Sequence, residues 1–339
     1  MRITQTWPLV LTLVLSCNKG GVQRIARETT AMDTYLSVTI YDNAIGLEEG
    51  NALIDSVFAE VNRLEQLMTD YADTSEVGRL NVYAGRESVA VSAELISLLH
   101  RARLFSELSN GSFDVTVGPL VRSWDFLGAE HEVPSRGRIR LLRRLVDFRN
   151  VVVDSPRVFL RQRGMRLDLG GIAKGYAVDR SLALLKRHGV RQAIVDLGGN
   201  LGVWWEGTHG LDSAVAEILI RHPRKEGKFF GSFLAGSSGI STSGDYQRYF
   251  IKDGIRYHHI LDPATGYPAR DVVSVTIIAG DATSADALST LVFVLGREKG
   301  MQLIEQTDGV EGVIVWEEGD ALQYAVSSGL RGKFVRSAD

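Results

Sequence analysis

The stretch that most constrains this chain is Gly164 to Arg180, GMRLDLGGIAKGYAVDR. An extended run ending in Leu167-Asp168-Leu169 meets Gly170-Gly171, and the apolar residues Ile172, Ala173, Tyr176 and Ala177 then fall at helical spacing. Adjacent glycines let a ligand come against bare backbone, and the N-terminus of the helix that follows offers N–H groups to an anion. Asp168 before the turn and Lys174 in the first helical turn add one carboxylate and one ammonium. A phosphate site and a plain strand-to-helix turn with a surface ion pair both satisfy these residues. The glycines follow neither GxGxxG nor the P-loop spacing, which excludes both of those nucleotide folds.

At 339 residues the chain can hold one large domain or two closely joined ones. A net charge of −3 with both signs interspersed provides no basic field for nucleic acid. The N-terminus differs from the rest. Met1-Arg2 precedes an apolar run from Trp7 to Leu15 and then Ser16-Cys17, the pattern of a short signal-peptide core rather than a transmembrane helix. Val14-Leu15-Ser16-Cys17 resembles a bacterial lipobox, and Cys17 is the only cysteine. The expected organisation is a leader over 1–17 ending at a lipidated Cys17, a tether over 18–27, and one folded domain over 28–339. The folded part then sits outside the cytoplasm on a membrane surface.

Thr30 to Tyr41 alternates as a first strand, and Gly46 to Tyr71 carries Leu53, Val57, Val61, Leu64 and Met68 on one helical face. A second helix starts at Ser92 as N-cap, buries Leu95, Leu98, Leu99, Ala102 and Leu108, and stops at Asn110-Gly111. The next segment, FDVTVGPLVRSWDF, reads either as a core-facing connector or as the wall of an aromatic ligand site. Arg136 to Arg144 reads as a solvated helix face, and Val151 to Val153 and Val158 to Leu160 as strands. Further strands are expected at Ala193 to Leu197, Ala214 to Ile220, Val272 to Ile278 and through the C-terminal segments, with Ile240 to Asp245 (ISTSGD) as a polar turn.

Arg248 to Ile260 predicts a hairpin around Asp253-Gly254 that delivers His258 and His259 to its end. Neighbouring strand residues face opposite sides, so the two imidazoles do not share a metal in the simple way. One of them is either a hydrogen-bonded structural residue or a base oriented by its neighbours. Ser284 opens an apolar helix on which Asp286 and Thr290, four apart, share a face. A carboxylate and a hydroxyl together suit an oxygen-loving cation, while capping by Ser284 and a dipole role for Asp286 account for all but Thr290.

DLGGIAKGYAVD, FDVTVGPLV, TSGDYQRYF, HHILDPATGYP and SADALSTLVFVLG occur in an order and spacing that resembles the ApbE-type flavin transferases, from about Met32 to Gly296. The resemblance implies an α+β fold related to T-fold domains, with antiparallel sheets and packed helices. It implies FAD contacts at Met32, Tyr71, Phe113, Asp114, Val115, Asp168, Lys174 and Ile260. It implies Mg2+ held by the Gly171 carbonyl, Asp286 and Thr290, and His259 as base, with His258 the neighbouring imidazole. The implied reaction moves the FMN moiety of FAD to a Thr or Ser hydroxyl of an exported redox protein and releases AMP. Hydrolysis of FAD at the same site, and a noncatalytic flavin-binding lipoprotein, are the alternatives. Two residues depart from the family pattern: Asp33 stands where Met-Gly-Thr is common, and Asp196 where asparagine is common before the LGGN turn.

Overall fold

A computed structural model of the chain describes residues 13–14, 24–126, 128, 131–212 and 215–337. Cys17 and almost all of the expected leader and tether lie outside the described residues. No helix among the described residues is long and apolar enough to cross a membrane.

Eight strands form the main sheet: β1 (Ile25–Ala31), β2 (Thr34–Ile40), β3 (Gln192–Leu197), β4 (Asn200–Trp205), β5 (Ser238–Gly244), β6 (Ser274–Ala279), β7 (Glu311–Glu318) and β8 (Ala321–Val326). They lie side by side in sequence order, each antiparallel to the next. Two-residue periodicity sends alternate side chains to opposite faces. Ala193, Val195 and Leu197 of β3 enter the core under the helices, while Ile194 enters a second core with Leu201, Val203, Val313 and Val315. A smaller sheet built on Ala216–Arg221 and Phe229–Ala235 covers that second core, with Leu13–Val14 and Val335–Arg336 at its edges.

The other face carries helices. In chain order the α-helices of the described residues are α1 (Leu47–Met68), α2 (Glu76–Val82), α3 (Ala93–Leu108), α4 (Gly118–Trp124), α5 (Arg136–Arg143), α6 (Ala173–Arg187), α7 (Ala282–Leu295) and α8 (Arg297–Gln306), of which α4 and α5 pack apart from that face in a third core with Phe250 and Leu261. The periodic residues of α1 are buried as its spacing predicts, and Ser92 caps α3 by accepting the Leu95 N–H at 3.2 Å. Leu108 is a correction. It is 51% exposed, because α3 ends there and its last turn projects beyond the core.

α6 and α7 cross close to each other and to the sheet, and each carboxylate of the crossing serves the other helix. Asp286 Oδ2 accepts the Gly175 N–H at the start of α6 at 2.9 Å, and Asp179 of α6 accepts the Ala282 and Thr283 N–H groups at the start of α7 at 2.8 and 2.9 Å. Asp281, rather than Ser284, is the N-cap of α7, accepting the Ser284 N–H at 2.8 Å. The crossing needs Gly175. A Cβ there would stand 2.2 Å from the Ala282 carbonyl oxygen and 2.7 Å from Asp286 Cβ. Gly175→Ala is therefore expected to cost about 2 kcal/mol or more in denaturant melts, since neither contacting atom can swing away.

Three further expectations are corrected. Thr30 to Tyr41 is not one strand: β1 and β2 meet there in a two-residue turn with Met32 and Asp33 at φ 50° and 58°. Such turns match the twist of the paired strands, which favours the break. Ile240 to Asp245 is not a turn but most of β5, a central strand whose polarity had suggested a loop. Its odd-numbered residues are small because α7 lies against them; a Cβ at Gly239 would meet the Asp281 and Ala282 backbone at 2.2 Å. Leu167 to Leu169 belongs to no strand; the Leu167 and Asp168 backbone bonds go to the Asn81 side chain and Val115 O, and the Leu169 carbonyl takes the Ile172 and Ala173 N–H groups.

Candidate active site

The site lies where the Gly170-Gly171 turn meets α7. Asp168 Oδ1 accepts the Gly170 N–H at 2.7 Å, and Lys174 Nζ donates to the Gly170 carbonyl at 3.0 Å, so both charged groups fold the turn as well as flank it. The α6 N-terminus is not open to an anion in the way its position suggested, since Ala173 N–H goes to Leu169 O and Gly175 N–H to Asp286. Gly171 abuts both Phe113 and Thr290: a Cβ there would lie 3.2 Å from the phenyl ring and 3.3 Å from Thr290 Oγ1. Thr290 thus meets the backbone at residue 171, and Asp286, one turn earlier on α7, reaches the start of α6 at Gly175, 111 positions away in the chain.

These are hard oxygen donors with a single carboxylate, which suits a magnesium ion shared with phosphate oxygens. Among the described residues no three His, Cys, Asp or Glu side chains converge as a nitrogen or sulfur site would require. The bare glycine beside Thr290 leaves the space a Cβ would fill, so the residues present fit such a cation. Burial raises the Asp286 carboxyl above its usual range, opposed by the Lys174 charge and the α6 N–H groups.

His259 sits at the end of the hairpin Tyr249–Lys252 and Ile255–His258, folded as the sequence indicates. Its Nδ1 lies 3.3 Å from the Arg248 carbonyl, which makes Nδ1 the donor and leaves Nε2 with the basic lone pair. Burial first, then the Arg248, His258 and Lys174 charges, hold it down to about 3. His258 faces the core: Nε2 is 2.7 Å from the Ala269 carbonyl and the ring meets Phe293 edge-on. Of the two imidazoles, His259 is the one that feels Lys174, which also acts on Asp168 and Asp286.

The other expected contacts fall into two groups. Tyr71 is 58% exposed, with the Arg122 guanidinium 4.2 Å over its ring. Arg122 in turn holds the Asp70 carbonyl at 2.7 Å and Arg166 holds it at 3.1 Å. Met32 packs on the core from the β1–β2 turn, where Asp33 comes within 3.9 Å of Arg248. Phe113, Val115 and Ile260 are buried, and the Val115 carbonyl accepts the Asp168 N–H at 2.8 Å. The Asp114 carboxylate is engaged within the fold, accepting the Thr116 N–H and hydroxyl and the Phe148 N–H. Asp70, Asp179 and Arg248 were not singled out by the sequence reading, although Asp179 ends the AKGYAVD motif and Arg248 lies inside TSGDYQRYF; Asp70 lies in no motif.

Asp196 lies at the end of β3, where its carboxylate accepts the Tyr35 hydroxyl at 2.9 Å and the Gly199 N–H at 2.8 Å. Burial pushes it up to about 6 from 3.8. Between those values the folded chain holds a proton that the unfolded chain has lost, so stability falls as pH rises through the window. Asp196→Asn should remove that dependence and raise stability at pH 8 by roughly 3 kcal/mol. Thermal melts from pH 4 to 8 check this; an asparagine variant that melts lower at pH 8 refutes it.

An antiparallel α+β fold with oxygen donors, a lysine and a neutral imidazole around a glycine turn defines a protein equipped for a phosphate-bearing ligand. The chain belongs to the ApbE family, whose profile matches residues 32–314. It is 34% identical to the FAD:protein FMN transferase of Treponema pallidum, over 92% of this chain and 91% of that one. It is 37% identical to the enzyme of the same name from Klebsiella pneumoniae, over 80% and 84%. Among solved structures, the ApbE protein of Thermotoga maritima superposes with TM-score 0.81 at 34% identity, covering 92% of this chain and 99% of the other. The apo flavinyl transferase ApbE of Pseudomonas stutzeri gives TM-score 0.81 at 29% identity, covering 95% and 100%.

Proposed function

We propose that this chain is an FAD:protein FMN transferase that uses magnesium. The observation that carries the reading is the α6–α7 crossing, which brings Gly171, Asp286 and Thr290 together beside Lys174 and His259. The names of its relatives point the same way.

FAD is a phosphoanhydride of FMN and AMP. The hydroxyl of a Thr or Ser on an acceptor protein attacks the FMN-side phosphorus, a new P–O bond forms, and the bond to AMP breaks. His259 Nε2 takes the hydroxyl proton. A base at about 3 is weak, but a pyrophosphate anion placed beside Lys174, Arg248 and His259 offsets the two cations and raises its basicity toward working pH. Lys174 supplies positive charge to the phosphate side, and Tyr71, backed by Arg122, offers an aromatic face to the flavin. Gly171, Asp286 and Thr290 would hold magnesium, which when bound neutralises phosphate charge as the anhydride bond breaks. Most of the rate in such transfers comes from positioning and charge, which these groups provide.

The Val14-Leu15-Ser16-Cys17 sequence supports export and anchoring through Cys17, with an exported redox subunit as acceptor. The mass of the chain extracted from membranes in detergent tests the anchor. For the reaction, the chain is incubated with FAD, magnesium and an exported acceptor, and the acceptor is weighed intact. A gain of one FMN that disappears when the acceptor threonine is replaced is expected. Free FMN and AMP with no modified acceptor would make the enzyme an FAD pyrophosphatase, and intact FAD would leave a flavin-binding protein.

A further inference from the structure

Behind Thr290 a file of buried polar side chains runs inward between α7 and strands β4 and β5. Ser243 Oγ lies 3.4 Å from Thr290 Oγ1 and 2.9 Å from Ser289 Oγ. Ser289 Oγ lies 3.1 Å from Ser241 Oγ and 3.0 Å from the Asp286 carbonyl oxygen, and Ser241 Oγ lies 2.7 Å from Asn200 Oδ1. All four side chains behind Thr290 are buried, Ser289 completely. Nothing in the reaction above uses them, and four polar groups in a core are costly unless their bonds are made.

Each hydroxyl has one proton to give, and that determines the direction of the whole file. Asn200 sets the inner end. Its Nδ2 donates to the Leu197 carbonyl at 3.3 Å, so Oδ1 is the acceptor and takes the Ser241 proton. Ser241 can then only accept from Ser289. The Asp286 carbonyl can also only accept, so two acceptors share the Ser289 proton on its inner side. Were that proton turned to Ser243, oxygen lone pairs would face each other at 3.0 and 3.1 Å with no hydrogen between them. Ser243 therefore donates to Ser289, and toward Thr290 it is an acceptor. Among the described residues Ser243 Oγ is the hydrogen-bond partner of Thr290 Oγ1.

We infer that this file is a positioning device for the cation: it draws the Thr290 proton toward Ser243 and leaves an oxygen lone pair facing the Gly171 and Asp286 side. Ser243 and Ser289 are positioning residues, acting through Thr290. When the Thr290 oxygen turns a lone pair to a dication its proton must go elsewhere, and a buried acceptor behind it takes that proton; partners behind a metal ligand commonly set affinity by tenfold or more. The inference rests on the metal reading of the site.

Direction separates this from simple packing. Ser243→Ala removes the acceptor for Thr290. Ser289→Ala removes the acceptor for Ser243, whose proton is then free to turn on Thr290 and reverse it. Ser241→Ala leaves a cavity of the same size one step further in, yet Ser289 keeps the Asp286 carbonyl and the outer file keeps its direction. The full chain and these variants are titrated with Mn2+ followed by electron paramagnetic resonance, and with Mg2+ by calorimetry. Ser243→Ala and Ser289→Ala are expected to weaken cation binding about tenfold. Ser241→Ala should stay within about twofold, and Ser243→Thr, which restores a hydroxyl, should recover affinity. Equal weakening by Ser241→Ala and Ser289→Ala, or unchanged binding in Ser243→Ala, overturns the inference and leaves a packing role. Absence of Mn2+ binding in the unaltered chain, or binding indifferent to Asp286→Asn, overturns the metal reading itself.

Discussion

Asp286→Asn is expected to fold, to bind FAD, and to lose FMN transfer by about a thousandfold, the scale seen when a preorganised charge contact to a transition state is removed. The amide keeps an oxygen that can accept the Gly175 N–H, so the α6–α7 crossing survives. What is lost is the one carboxylate of the cation site. Asp286→Ala is a poorer test, because it also strands a buried N–H at a cost of about 1–3 kcal/mol and mixes folding with chemistry. The measurement is single-turnover FMN transfer at saturating FAD, with circular dichroism on the same samples. Undiminished transfer at low magnesium would remove Asp286 from the metal site.

His259→Ala should slow transfer by about 10²- to 10⁴-fold, the range for a lost general base, with little change in FAD affinity. Its ring is tied to the Arg248 carbonyl at 3.3 Å and contributes little to the core cluster beneath it, so the hairpin should persist. The pH profile is the sharper test. Burial first, and then the neighbouring charges, hold the free enzyme's imidazole down to about 3, and a bound pyrophosphate opposes the charge part of that shift. The acidic limb of kcat, which reports the complex, should therefore lie at higher pH than the limb of kcat/KM. Limbs at the same pH, or FAD binding lost along with turnover, would make His259 structural. His258→Ala, by contrast, opens a hole against Phe293 and should act mainly on stability.

Much of this was legible from local pattern. The apolar spacing of α1, Ser92 before α3, and Asp253-Gly254 between alternating residues all depend on neighbours within a few positions, and the structure follows them. SGISTSG failed because its side chains gave no apolar period. That strand is held by β4 and β6 on either side and by α7 above it, partners distant in the chain. Met32 and Asp33 failed for a related reason, since an alternating run does not announce that its middle bends back. Asp114 matched a motif, yet its oxygens are consumed by Thr116 and Phe148, which no spacing foretold.

By itself the sequence determined the long helices α1, α3, α6 and α7, the hairpin, the glycine turn and the family, because propensity, turn chemistry and motif order act over short stretches. Only the tertiary structure decided how α6 and α7 exchange caps, through bonds joining residues 103 to 111 positions apart. It also decided that His258 turns to the Ala269 carbonyl while His259 bonds Arg248, and that a file of buried polar side chains lines up behind Thr290. The reason is physical: a hydrogen bond depends on where its donor and acceptor lie in space, and one buried far from its partner in sequence leaves no period for a reader to detect.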